Sequence, residues 1–168
     1  MPMELRDEVP ADAAAIHALT EAAFRNAPHR SGTEQFIVDA LRRDGLLSAS
    51  VMASCNGVIV GHAAASPVTI DGHDLGWHGL GPVSVSPDRQ REGIGRQLVD
   101  AVLSRLRVAG SRGCVVLGDP AYYGRFGFRA LPALRLPGVP AEYFQSLPFV
   151  DVVPEGEVAF AAAFDVRA

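Results

Sequence analysis

No apolar run in the 168 residues approaches the roughly 20 needed to span a bilayer. The N-terminus, Met1-Pro2-Met3-Glu4-Leu5-Arg6, lacks the basic stretch and apolar core of a secretory leader. A cytoplasmic protein with no membrane partner is therefore expected. Positive charge is not in excess either: 15 Lys and Arg stand against 19 Asp and Glu, a net charge of −4. With an isoelectric point near 5.7, the field of the whole molecule argues against general nucleic-acid binding. Cysteine is scarce. Cys55 and Cys114 are far apart and each lies in an apolar run, which points to buried reduced thiols rather than a disulfide, a zinc site or a cysteine nucleophile. Internal repeats, low-complexity tracts and linkers are absent. What remains, 48% hydrophobic and 20% charged, is the composition of an ordinary folded protein, expected as one domain over 1–168.

The informative stretch is Val83-Ser84-Val85-Ser86-Pro87-Asp88-Arg89-Gln90-Arg91-Glu92-Gly93-Ile94-Gly95-Arg96. Val83 and Val85 alternate with serines as in a strand, and Pro87 ends it by removing a backbone donor. From Gly93 onward Ile94, Leu98, Val99, Val102 and Leu106 fall at helical spacing, and Gly110 supplies the stop. The glycines are thus predicted at a helix N-terminus, where amides lack intrahelical partners and the dipole places about half a positive charge. Such a terminus binds anions, phosphate above all. The missing Cβ atoms of Gly93 and Gly95 let an anion approach the backbone, and Arg89, Arg91 and Arg96 add positive charge. A P-loop is excluded because Arg96-Gln97 follows Gly95 where Lys-Ser or Lys-Thr belongs. A dinucleotide fingerprint is excluded because Leu98 stands where its third glycine belongs.

Around this centre the chain alternates elements. A short edge strand at Leu5 leads to a helix begun by Pro10-Ala11-Asp12, with Ile16, Leu19 and Ala23 on one face. Thr33 is the predicted N-cap of a second helix that buries Phe36, Ile37, Ala40 and Leu41 and ends at Gly45. Between them lies the polar loop Asn26-Ala27-Pro28-His29-Arg30-Ser31-Gly32. Strands are expected over 48–55 and 58–70, joined at Asn56-Gly57, a strong hairpin signal. After a turn at 71–74, a strand over 75–85 contains Gly81-Pro82, which predicts a bulge. The run 114–117 suits a buried parallel strand reached through the long helix. The proline-rich segment 131–154 offers at most a turn at 142–145, and 156–166 reads as a closing strand.

The pattern Gln90-x-x-Gly93-x-Gly95 after a strand ending in Val-x-Pro resembles the acyl-CoA pyrophosphate loop of the GNAT superfamily of N-acetyltransferases. Downstream, Tyr123-x-x-x-Gly127-Phe128 looks like the segment after the fifth strand of that fold. The fuller wording, Leu117-Gly118-Asp119-Pro120 with Tyr122-Tyr123 and Arg125-Phe126-Gly127-Phe128, resembles the YhbS-like branch. The resemblance implies an α/β (α+β) fold: a mixed, mostly antiparallel central sheet with a splayed parallel strand pair and flanking helices. It implies acetyl-CoA as co-substrate, without a metal, bound by Val83, Ser84, Val85, Arg91, Glu92, Gly93, Ile94, Gly95, Arg96 and Tyr122. The first two helices and the 26–32 loop would wall the acceptor side.

In the resembling family a tyrosine at the place of Tyr123 protonates the departing thiolate, and a phenol with an ordinary pKa near 10 suits that task. The alternative is that Tyr122 and Tyr123 simply pack between helix and sheet. The base is obscure, because 79–85 and 114–117 contain no carboxylate. Glu34 and His78 are the leading candidates, with Glu21 and Asp119 behind them. A missing strand carboxylate favours an acceptor less basic than lysine, or deprotonation through water. A small-molecule primary amine is the expected acceptor, with a peptide or protein amine, or a non-catalytic CoA-binding module, as alternatives; a monomer or homodimer is expected.

Overall fold

The computed structural model describes residues 3–25 and 32–166. Residues 26–31 of the 26–32 loop, expected to wall the acceptor side, lie outside the described residues. In chain order the elements are β1 Met3–Asp7, α1 Ala13–Phe24, α2 Glu34–Arg43, β2 Ala49–Cys55, β3 Val58–Pro67, β4 Thr69–Ile70, β5 Trp77–Val85 and α3 Ile94–Val108. They continue with β6 Gly113–Leu117, α4 Pro120–Tyr123, β7 Leu134–Arg135, β8 Phe144–Pro148 and β9 Gly156–Ala159. The main sheet has the order β1-β2-β3-β5-β6-β8, and β4, β9 and β7 form a smaller one. Every neighbouring pair of the main sheet is antiparallel except β5 and β6. This is the mixed sheet that the resemblance implies.

Local chemistry accounts for the frame. Asn56 and Gly57 have φ of 51° and 78°, the positive values that a tight hairpin turn needs. α3 lays Ile94, Leu98, Val99, Val102, Leu103 and Leu106 against Val51, Ala53, Ala63 and Ala65. The approach is closest at Gly61, where a Cβ would stand 2.7 Å from Leu98 Cδ1. Because strand side chains alternate, the intervening Ser50, Met52, His62 and Ala64 face the other side. They are buried too, and α1 packs there on β3 and β5. Cys55 and Cys114 are buried free thiols. Among the described residues no helix is long and apolar enough to cross a membrane.

Some boundaries differ from expectation. The strand expected over 58–70 divides, because Pro67 ends β3 and the Val68 N–H turns to the Trp77 carbonyl, while Ile70 pairs with Val158 of β9. The strand expected from 75 begins at Trp77, since the Asp74 carboxylate accepts the Gly76 N–H at 3.0 Å and holds a turn. The closing strand stops at Ala159, and Ala162–Asp165 is a short 3-10 helix whose Ala163 and Phe164 pack on α2. The segment 131–154, read as nearly structureless, contains β7 and β8. The turn near 142 is a 3-10 turn, Ala141–Tyr143, running directly into β8, which pairs with β6 from Leu117↔Phe144 to Gly113↔Pro148.

Candidate functional site

β5 and β6 are in register only at Trp77↔Gly113, His78↔Cys114 and Gly79↔Val115. Beyond this they part. The expected bulge is present: Ala65 pairs with Leu80 but Ala63 with Val83, so β5 carries an extra residue opposite β3 at Gly81-Pro82. The Ser86 N–H donates to the Val60 carbonyl, which makes Gly61↔Val85 a widely spaced pair of the antiparallel ladder. Ser84 therefore exchanges its main-chain bonds with His62, whereas Val83 and Val85 turn theirs away from β3, toward the parted side. The Gln90 amide donates to the Val85 carbonyl at 3.4 Å. The remaining edge can pair with an extended guest.

This edge leads straight into the glycine loop. Gly93 is the N-cap of α3, left-handed at φ 82°, and no side chain caps the helix. Arg91 is also left-handed at φ 66°. The two glycines work differently. A Cβ on Gly93 would meet nothing within 4 Å, so its conformation is what requires glycine, whereas a Cβ on Gly95 would lie 2.9 Å from Tyr122 Oη. Gly95 makes room for a phenol, where the sequence suggested room for the anion alone. Ile94 is buried and offers only its backbone. Arg91, Glu92 and Arg96 are exposed. Glu92 pairs with Arg89, while Arg91 and Arg96 have no carboxylate partner among the described residues.

The tyrosines come from α4. Asp119 starts it by accepting the Ala121 N–H at 2.9 Å. Gly118 admits the Tyr123 ring, whose Cε2 lies 2.5 Å from where its Cβ would be. Tyr123 meets Tyr122 edge-on at 5.0 Å and Phe128 at 5.9 Å between centroids, and packs on the α3 side of the core. Burial pushes its phenol up to about 12, with Tyr122 and Cys114 adding to the effect. It is protonated at neutral pH, as a donor must be. Burial also raises Tyr122, against the pull of Arg125 and Arg96.

The other candidates lie elsewhere. His78 sits at the joined end of the β5–β6 pair, five residues before Val83, and its Nδ1 is 2.7 Å from Ser111 Oγ. Burial lowers its pKa, yet the contact ties the ring to the base of the sheet, not to the glycine loop. Glu34 is buried at the first turn of α2, where it lines a cavity of about 300 Å³ with Glu21, Phe24, Arg25 and Gln35. Asp119 is used as a cap.

A buried polar group escaped the sequence. His62 on β3 is fully buried, and its Nε2 lies 2.8 Å from Ser50 Oγ. The Ser50 hydroxyl donates to Glu8 Oε1, and Arg42 donates to the same carboxylate at 2.8 and 3.0 Å. Burial alone would raise the Glu8 pKa, but the nearby His62 and the hydrogen bonds from Arg42 and Ser50 hold it well below the usual range. The one local sign was a histidine inside the apolar run 58–65, at a position whose alternation places it opposite the α3 side.

The sequence pattern of the acetyltransferase (GNAT) domain matches residues 4–131. The chain is 40% identical over 127 residues to the N-acetyltransferase YhbS of Escherichia coli (strain K12), covering 75% of this chain and 73% of that one. A GNAT family acetyltransferase from Brucella melitensis, solved in complex with acetyl-CoA, superposes with a TM-score of 0.88 at 50% identity, over 98% of this chain and 99% of that one. YhbS from Escherichia coli, solved with CoA, gives a TM-score of 0.89 at 34% identity, over 99% and 93%.

Proposed function

Because the chain belongs to the GNAT family of acetyltransferases, we propose that it moves the acetyl group of acetyl-CoA to the primary amine of a small molecule by direct attack on the thioester. The observation that carries this reading is the continuity of an edge and a terminus. The turned-out main chain of Val83 and Val85 runs into an α3 N-terminus that has no side-chain cap, with a tyrosine hydroxyl against Gly95. Amides of the Arg91–Arg96 loop hold the pyrophosphate, helped by the Arg91 and Arg96 guanidinium groups. Val83 and Val85 hold the pantetheine arm as an added strand would. When bound, acetyl-CoA supplies the activated acyl group.

Tyr123 gives its proton to the departing thiolate. A phenol raised to about 12 is a weaker acid than an ordinary tyrosine, but the burial that raises it also raises a thiolate leaving in the same place. The acceptor approaches from the α1–α2 side. The cavity of about 300 Å³ beside Glu21 and Glu34 is at the lower end of small-molecule sites, and its two carboxylates against the one Arg25 guanidinium favour a cation.

Thermal shift with acetyl-CoA, followed by thiol release across a panel of primary amines, tests this. Acetyl-CoA at 100 times its Kd should raise stability by about 2.7 kcal/mol, and at least one small amine should accelerate thiol release. No stabilisation overturns the cofactor site; stabilisation with turnover only on peptides or proteins, or on no acceptor, overturns the acceptor class.

A further inference from the structure

Arg125 lies on the 3-10 turn Gly124–Phe126 that follows α4. Its guanidinium carbon stands 5.4 Å from the centroid of the Tyr122 ring, within the range of a cation–π contact. Stacking on a ring face orients the planar head group without using any of its N–H donors. Nothing else in the chain takes those donors up. Arg125 is exposed, and among the described residues it has neither an ion pair nor a hydrogen bond.

The ring beneath Arg125 reaches the first turn of α3. Tyr122 Oη lies 2.9 Å from the place of a Gly95 Cβ, and Val85 Cγ2 lies 3.5 Å from the same point. The end of β5 therefore borders this spot on one side and α4 on the other. Arg96 follows Gly95. Burial raises the Tyr122 phenol, and Arg125 and Arg96 both pull it back against Asp100, one turn further along α3. Both arginines are thus close to one phenol oxygen beside the glycine loop. In a chain of net charge −4, positive charge gathers here and extends past the loop to the far side of Tyr122.

Acetyl-CoA carries more negative charge than the glycine loop addresses. Beyond its pyrophosphate, the ribose bears a 3′-phosphate monoester with a charge of about −1.5 to −2 at pH 7. On the reading above, the pantetheine arm leaves the α3 terminus along Val85 and Val83. The nucleoside then leaves the other way, past the first turn of α3 and the turn that holds Arg125.

We propose that Arg125 binds the 3′-phosphate of acetyl-CoA, with the Tyr122 ring as the platform that holds its guanidinium. The inference rests on the acetyl-CoA site proposed above and adds a residue that selects among its thioesters. A planar fork of donors matches two oxygens of a phosphate, and a head group already stacked loses less freedom on binding than a loose one. The consequence is selectivity: the chain prefers acetyl-CoA to acetyl-dephospho-CoA, the same thioester without the 3′-phosphate.

Isothermal titration of the full chain with these two thioesters, for the parent and for Arg125→Gln, closes a double-difference cycle. The parent should bind acetyl-CoA about tenfold more tightly than acetyl-dephospho-CoA, the effect of one charge-assisted contact at an exposed site, and the gap should narrow as salt is raised. Arg125→Gln should lose about that factor for acetyl-CoA and almost nothing for the dephospho form. Arg125→Lys, which keeps the charge but not the fork, should fall between. If Arg125 merely braces Tyr122, Arg125→Gln weakens both thioesters equally, and the inference is overturned. A preference that survives in Arg125→Gln but disappears in Arg96→Gln overturns it as well. A parent that binds neither thioester sinks the acetyl-CoA site itself; a parent that binds both alike leaves that site standing and sinks this inference alone.

Discussion

α3 and α4 begin in opposite ways. At α4 the Asp119 carboxylate accepts the Ala121 N–H, so the first turn is satisfied within the chain. At α3 the N-cap is Gly93 and no side chain reaches the first turn. Both helices leave orphan amides, yet the chain answers them itself where it builds a platform for two tyrosines and leaves them open at the proposed phosphate site. A helix start without its own acceptor beside one that has it separates binding from scaffolding.

Substitutions at the two starts sharpen that contrast. The largest effect is expected on the scaffolded side. Tyr123→Phe should lower kcat by about a hundredfold to ten-thousandfold, roughly 3 to 5 kcal/mol of barrier, with acetyl-CoA Kd nearly unchanged by calorimetry. The same variant checks the phenol's environment. With a folded pKa of about 12 against an ordinary 10.0, the folded state holds this proton more tightly. Stability from this group is therefore complete below pH 10 and lost as pH rises toward 12. Alkaline melting curves should show that loss in the parent and a smaller one in Tyr123→Phe, where Tyr122 is still raised by burial.

Next comes Gly93→Asp, which gives α3 the kind of carboxylate that α4 already has. It should cost acetyl-CoA affinity tenfold or more, about 1.4 kcal/mol at the least, by occupying the amides and repelling phosphate. Undiminished binding in isothermal titration would erase the contrast. The smallest effect is Asp119→Ala, expected to cost about 0.5 to 2 kcal/mol of stability in a denaturant melt, with acetyl-CoA affinity little changed.

What the sequence disclosed divides along the same line. The Asn56-Gly57 turn, the glycine loop and the α3 stripe are local, because a few adjacent residues decide their conformation. β8 was hidden because its strand character comes from pairing with β6, more than twenty residues away, while the prolines around it suggest loop. The contact of His78 was hidden for a related reason. Its partner Ser111 follows α3, and nothing near His78 in sequence announces the contact. The Glu8, Arg42, Ser50 and His62 network joins two strands and the residue after a third to a helix and has no local pattern at all. Polar residues on the buried α1 side of β3 read in the sequence simply as interruptions in an apolar run.

The contact between Tyr122 and Gly95 ties the two helix starts together. A phenol oxygen fills the space where a Gly95 side chain would be, 2.9 Å from its Cβ position, and the neighbouring residue in the same turn is Tyr123. On the proposed reading, whatever grips the amides at Gly95 would also brace the platform from which Tyr123 acts. Affinity for a part of the substrate that never reacts becomes a means of aiming the proton donor. A truncated thioester lacking the pyrophosphate is then a poor substrate in rate as well as in binding, because the grip that would have set the tyrosine is missing.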